Sequence, residues 1–204
     1  MPDGPQNLED FGYCMERVVL FATDLGLGTC WLGGTFNRSA FAARAGLRRG
    51  EQMPAVAAVG YVASKPCLIE RVIRRGAGSH KRYPWRQLFF RDQFGQPLSV
   101  EEAGPYATAL EMVRLAPSAS NKQPWRIIHD GSAWHFYLQR SPGYRGTARL
   151  GGVPDLQRAD MGIAMCHWEL TAREAGLEGR WLVQDPAIVT TDRQAEYSAT
   201  WLPA

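Results

Sequence analysis

"DFGYCMERVVLFATDLGLGTCWL", residues 10–32, returns as "DMGIAMCHWELTAREAGLEGRWL", residues 160–182. A shift of 150 residues aligns the two without a gap, and nine of the 23 positions are identical, among them Asp10/Asp160, Gly12/Gly162, Met15/Met165, Gly26/Gly176 and Trp31/Trp181. Chance would give about one or two at ordinary composition. Apolar residues at 11, 15, 18, 22 and 25, and again at 161, 165, 168, 172 and 175, keep the spacing of one buried helical stripe. The pattern predicts helices over 10–25 and 160–175, with Asp10 and Asp160 as N-caps and Gly26 and Gly176 as stops. Two repeats are too few for a solenoid. They read instead as two halves, 1–100 and 101–204, packed about a local twofold like a dimer whose subunits were fused.

Between the repeats lies an α/β pattern. "NRSAFAARAGL" is a short helix ending at Gly46, and "AVAAVGYV" (55–62) a buried strand. A basic connector, "RVIRRGAGSHKRYPWR", runs from Arg71 to Arg86 and is broken by Gly76, Gly78 and Pro84. Pro105 opens a helix over "PYATALEMVRL", and "WRIIHDGSAWHFYL" is a hairpin about Asp130 and Gly131. Arg180–Val183 and "YSATWL" complete the strands, so the fold class is mixed α+β in layers.

Composition bounds the function. The 204 residues are 45% hydrophobic and 21% charged, with a net charge of +3, which suits a globular domain rather than a dedicated nucleic-acid binder. The interleaved Tyr83 and Trp85 of the basic connector are the best argument for single-strand binding, but no nucleic-acid module accompanies them. Cys14, Cys30, Cys67 and Cys166 show no metal-type spacing and the four histidines are scattered, so no metal site is expected. The start "MPDGPQNLED" has no secretory character and no apolar run reaches spanning length, which reads as a cytoplasmic protein without membrane association.

One loop stands out chemically. In "RLAPSASNKQPWRII", residues 114–128, small and turn-forming residues from Pro117 to Asn121 precede Gln123, Pro124 and Trp125. Short side chains let backbone N–H groups approach a flat ligand, while amides offer directed donors and acceptors; a plain turn leading into a core strand is the competing reading.

Together, "APSASNKQPW", "DLGLGTCWLGGTF" (24–36) and "PAVAAVGY" (54–61) resemble the flavin-dependent nitroreductase superfamily, in particular its internally duplicated single-chain branch. The resemblance spans most of residues 8–185 and implies a nitroreductase-like fold forming a pseudo-dimer. By this resemblance FMN would be held between Trp31, Leu32, Gly33 and Gly34 on one side and Pro117, Ser118, Ala119, Ser120 and Asn121 on the other, with Lys81 and Arg82 toward its phosphate. Reductant would be NAD(P)H and the acceptor a nitroaromatic, quinone or similar conjugated molecule; no protein nucleophile or acid/base pair is required. A catalytically inactive flavin-binding or structural relic of the fold is the alternative, and self-association is compatible with either. The Arg-Arg-Ser-x-Arg segment that leads into the family's first helix has no counterpart: "LRRGE" and "IRRGA" lack the serine, so the chain reads as a member without its first unit.

Overall fold

The computed structural model describes residues 4–34, 36–64, 76, 78–143, 154–188 and 194–204. It contains an antiparallel pair, β1 (Gly28–Leu32) with β2 (Val56–Gly60), and a five-stranded sheet in the order β3-β4-β5-β7-β6. The latter is built from β3 (Phe89–Arg91), β4 (Trp125–His129), β5 (Trp134–Gln139), β6 (Gly179–Leu182) and β7 (Ala195–Pro203). β3 runs parallel to β4; the other neighbours are antiparallel. Five helices accompany them among the described residues: α1 (Asn7–Asp24), α2 (Arg38–Arg44), α3 (Val100–Ala103), α4 (Ala107–Leu115) and α5 (Leu156–Glu174).

Strand alternation sorts the sheet's two faces. Trp134, Phe136 and Leu138 of β5 turn to a core completed by Leu110 and Val113 of α4 and by Met161 and Trp168 of α5. Tyr106 lies flat on Trp168, with ring centroids 5.2 Å apart and planes 4° from parallel. On the opposite face, Phe90, Ile128 and Tyr137 form a smaller cluster. The hairpin turns at Asp130, whose Oδ1 accepts the N–H groups of Ser132 and Ala133 while Gly131 takes a φ of +87°.

α1 lies against α5, and small residues set how closely. A Cβ added at Gly12 would sit 2.0 Å from the Ala159 oxygen, and one at Gly162 would sit 1.9 Å from the Glu9 oxygen. Residue 12 meets 159 and residue 162 meets 9, which is the same contact under the 150-residue shift. Polar bonds brace the crossing. Glu16 accepts from Trp31 at 2.8 Å and lies 2.9 Å from His167, while Glu169 accepts from Trp181 at 2.8 Å and from Tyr13 at 2.9 Å. Arg158 donates to Glu9 at 2.8 Å.

The helix stops are as expected, and identical. Gly26 and Gly176 take φ of +75° and +73°; Leu27 bonds back to Ala22 and Leu177 to Ala172, the two six-residue closures of Schellman caps. The starts differ from expectation. The helices begin one turn earlier, with Gln6 and Asp155 at the N-cap positions and neither side chain making a capping bond, so Asp10 and Asp160 lie inside them rather than at their ends. The stripe of α1 is only partly its buried face: Ala22 is buried and Phe11 and Met15 half-buried, but Val18 and Leu25 are 56% and 61% exposed, and Leu8, Gly12, Glu16 and Val19 are buried beside it. β2 is likewise half-exposed rather than buried, because β1 is its only strand partner among the described residues. The helix expected from Pro105 is divided. Ser99 and Glu102 form a capping box that starts α3, and Pro105 sits in a 3₁₀ turn before α4. Of the basic connector, residues 71–75 and 77 lie outside the described residues.

Candidate functional site

The first two turns of α5 bring two distant loops together. A Cβ at Gly33, just past β1, would stand 2.5 Å from Cδ1 of Leu156. One turn on, Oδ1 of Asp160 accepts the Ala119 N–H at 2.9 Å. Positions i and i+4 share a helix face about 6 Å apart, so the 31–34 loop and the 117–121 loop flank one side of the same helix.

The 31–34 loop is fixed from beneath. Trp31 and Leu32 end β1 in register with Ala57 and Val56, and the Trp31 indole is tied to Glu16. The Gly33 carbonyl accepts from Arg38, which also donates to the Pro54 carbonyl at 2.8 Å. Arg38 is presented by α2, whose start is capped by Asn37 through the Ala40 N–H. Gly34 differs from Gly33: it is exposed, and a Cβ there would meet nothing within 4 Å.

The 117–121 loop is held by its own polar groups. Ser118 Oγ accepts the Gln123 N–H at 2.9 Å, and the Asn121 amide donates to the carbonyls of Gly78 and Lys81 at 2.7 and 2.9 Å. Gln123, 3% exposed, accepts from Tyr83 N–H at 2.8 Å and donates toward Lys81 and Asn121 oxygens. Ser120, Asn121 and Gln123 take φ of +51°, +52° and +45°. Three left-handed residues without a glycine cost about 1–3 kcal/mol each, least for Asn, and such strain gathers where geometry matters to function. Pro117 and Ala119 are half-buried; Ser120 is the exposed apex.

The two basic candidates behave differently. Arg82 spends its guanidinium on the carbonyls of Leu115, Ser79 and Lys81 and on Oδ1 of Asn121, at 2.8–3.3 Å, so it binds the connector to the end of α4. Its pKa is lowered by burial and then by Arg114. Lys81 is exposed beside this network. Asp160 is the unusual acid of the region: it is 3% exposed, its Oδ2 has no partner among the described residues, and burial raises its pKa to about 8 against the lowering effect of the Ala119 N–H bond, with Asp155 adding to the rise.

Two surface hollows, of about 470 Å³ beside Trp85 and Leu98 and about 300 Å³ between α1 and β2, are lined by none of these residues. Among the described residues no cluster of His, Cys, Asp and Glu could hold a metal, and no helix is long and apolar enough to cross a membrane.

Residues 1–172 match the family described as "Putative TM nitroreductase". The chain belongs to this family. Its members are named for oxidoreductase chemistry, and the fold agrees: the chain is similar to the crystal structure of a "putative nitroreductase" from Thermotoga maritima, with 23% identity and a TM-score of 0.60 over 96% of this chain. It spans 64% of that protein's length. No functionally curated protein matches the sequence. Within this nitroreductase-like frame, four residues of the site have functions that sequence patterns do not single out. Leu156 and Asp160 supply the landing face, Arg38 clamps Gly33, and Gln123 pegs the strained loop. The repeat marks Asp160, but as a helix cap and not as a loop anchor.

Proposed function

We propose that the chain is an FMN-dependent oxidoreductase of the nitroreductase type, using NAD(P)H to reduce a nitroaromatic, quinone or similar conjugated acceptor. The observation that carries this reading is the arrival of the 31–34 and 117–121 loops on one face of α5, with Gly34 leaving open space between backbone and solvent. The residues present fit a flat cofactor with a phosphate tail. Gly34 lets backbone amide and ring approach closely because no side chain intervenes. Pro117, Ser118, Ala119, Ser120 and Asn121 offer a low-profile opposite wall whose strain is fixed by Gln123 and Arg82. Of the two basic residues, exposed Lys81 is the cation for the phosphate, and Arg82 sets the backbone around it.

When bound, FMN supplies the hydride and electron transfer. The protein's part is to orient the ring, to present fixed dipoles to its polar edge and to leave one face for reductant and acceptor in turn. The division into halves 1–100 and 101–204 belongs to this proposal, with Trp31–Gly34 in the first and the 117–121 loop in the second. The test is spectroscopic, then kinetic. FMN added to the purified protein should show shifted flavin bands and quenched fluorescence, and NAD(P)H oxidation should then depend on an added quinone or nitroaromatic. Unaltered flavin spectra at saturating FMN contradict the proposal; binding without turnover selects the inactive relic.

A further inference from the structure

On the face of the five-stranded sheet turned away from α4 and α5, a chain of polar side chains runs beside the Phe90, Ile128 and Tyr137 cluster. Oδ2 of Asp130, in the hairpin turn, lies 2.9 Å from Nε2 of His135 on β5. The other ring nitrogen, Nδ1, lies 2.9 Å from the Thr200 hydroxyl on β7, which lies 2.8 Å from the Tyr197 hydroxyl. Tyr197 reaches the end of β6: its hydroxyl accepts the Gln184 N–H at 3.2 Å and lies 3.3 Å from the Leu182 carbonyl oxygen. His135 and Thr200 are buried. A β-bulge assembles the chain. Positions 197 and 200 of an unbroken strand would point to opposite faces. In β7, however, Ala199 pairs with Phe136 and Tyr197 with Tyr137, so Ser198 is the extra residue and the two hydroxyls come to one face.

The hydrogens of this chain have two complete arrangements. Asp130 Oδ1 accepts the N–H groups of Ser132 and Ala133 and the Ser132 hydroxyl. Burial works to raise the Asp130 carboxyl, but the bonds from His135, Ser132 and Ala133 hold it below its ordinary range, so it is an acceptor only. His135 Nε2 therefore carries a hydrogen in either charge state, and Nδ1 is the atom that gains or loses a proton. With Nδ1 bare, Thr200 donates to it and Tyr197 donates to Thr200. With Nδ1 protonated, the imidazolium donates to Thr200, Thr200 donates to Tyr197, and Tyr197 donates to the Leu182 carbonyl. Each hydroxyl serves as donor and as acceptor in both arrangements, so no buried group is stranded by the change.

We propose that Asp130, His135, Thr200 and Tyr197 form a reversible hydrogen-bond relay, in which protonation of His135 turns the Tyr197 hydroxyl onto the Leu182 carbonyl and fixes the end of β6. The relay is independent of the flavin reading. Other ionisable groups border it among the described residues. Asp185, after β6, acts on Tyr197 and Tyr137, and His129 of β4 is within electrostatic reach of Asp130, Asp92 and His135. By strand register, Arg126 of β4 stands opposite Tyr137, and exposed Arg180 of β6 lies two residues before Leu182.

Nuclear magnetic resonance of the whole chain tests this, following the His135 ring nitrogens and the Leu182 carbonyl carbon across the pH range in which the fold persists. In the wild type the two signals should titrate with one midpoint. Tyr197→Phe keeps the ring and removes the last hydroxyl: His135 should still titrate, and the Leu182 signal should no longer follow it. Thr200→Val breaks the chain one step earlier and should uncouple the same two signals. His135→Gln should remove the titration of Leu182 altogether. A Leu182 carbonyl that does not move with His135 in the wild type overturns the proposal, as does a His135 that keeps one charge state throughout, and the wild-type titration alone decides this should a variant fail to fold. Equal coupling in the wild type and Tyr197→Phe overturns it too.

Discussion

α1 and α5 carry the same stripe and end in the same Schellman cap, yet only one of them is an interior helix. At the position where α5 has Trp168, fully buried beneath α4 and the five-stranded sheet, α1 has Val18, 56% exposed. The reason is cover. α5 faces a sheet of five strands with α4 beside it, whereas α1 faces the two-stranded β1–β2 pair, and Phe21 and Leu25 stay largely in solvent with it. A stripe of period 3.6 specifies a helix; what buries it depends on the elements available to pack there. Where the two helices touch each other, by contrast, they are alike, because Gly12 and Gly162 make reciprocal contacts.

The contrast can be broken most forcefully at positions 168 and 18. Trp168→Ala should cost about 3–5 kcal/mol through loss of buried surface and the cavity left behind, while Val18→Ala should stay within about 0.5 kcal/mol. Urea unfolding checks both, and equal losses would mean that α1 is covered as α5 is. Next come the crossing glycines. Gly12→Ala and Gly162→Ala place a methyl carbon against backbone that cannot swing away, and each should cost about 3 kcal/mol. A large effect at one and none at the other would end the reciprocal-contact reading.

The braces sharpen the same comparison at smaller scale. Glu16→Leu strands the Trp31 indole and His167, and Glu169→Leu strands the Trp181 indole and Tyr13. Each should lose about 1–3 kcal/mol, and the two losses should be similar. The smallest effect is chemical. Cys14 of α1 and Cys30 of β1 are exposed, while Cys166 of α5 is buried and its thiol is pushed up to about 12, first by burial and then by Glu16. In a Cys67→Ser background at pH 8, a thiol reagent should label two cysteines quickly and the third only after unfolding.

The repeat made the helix ends at Gly26 and Gly176 legible, since a left-handed stop is a local requirement that glycine meets. Helix starts were less so. Asp is a good cap, but Asp10 and Asp160 sit a turn inside because the preceding residues extend each helix. The exposure of β2 could not be read from "AVAAVGYV", as an apolar run does not report how many strands lie beside it. At the candidate site, the loop residues were visible as composition. Their supports were not: Arg38 reaches Gly33 from a different element, Asp160 reaches Ala119 across 41 residues, and left-handed geometry at Ser120 and Gln123 has no glycine to announce it. Tertiary contacts of that kind leave no periodic trace.

The proposed flavin site between the 31–34 and 117–121 loops is a single one, and Gly34 allows it to be tested without disturbing the fold. Position 34 is exposed with open space around its Cβ, so Gly34→Val should fold normally yet project two methyl groups into the place reserved for the ring. Under the 150-residue shift the equivalent positions are occupied by Val183 and Gln184, and Val183 is 63% exposed. An FMN titration of wild type, Gly34→Val and Val183→Ala should give one flavin per chain for the first and third and none for Gly34→Val. Two flavins per chain, or binding by Gly34→Val equal to that of the wild type, would contradict the account.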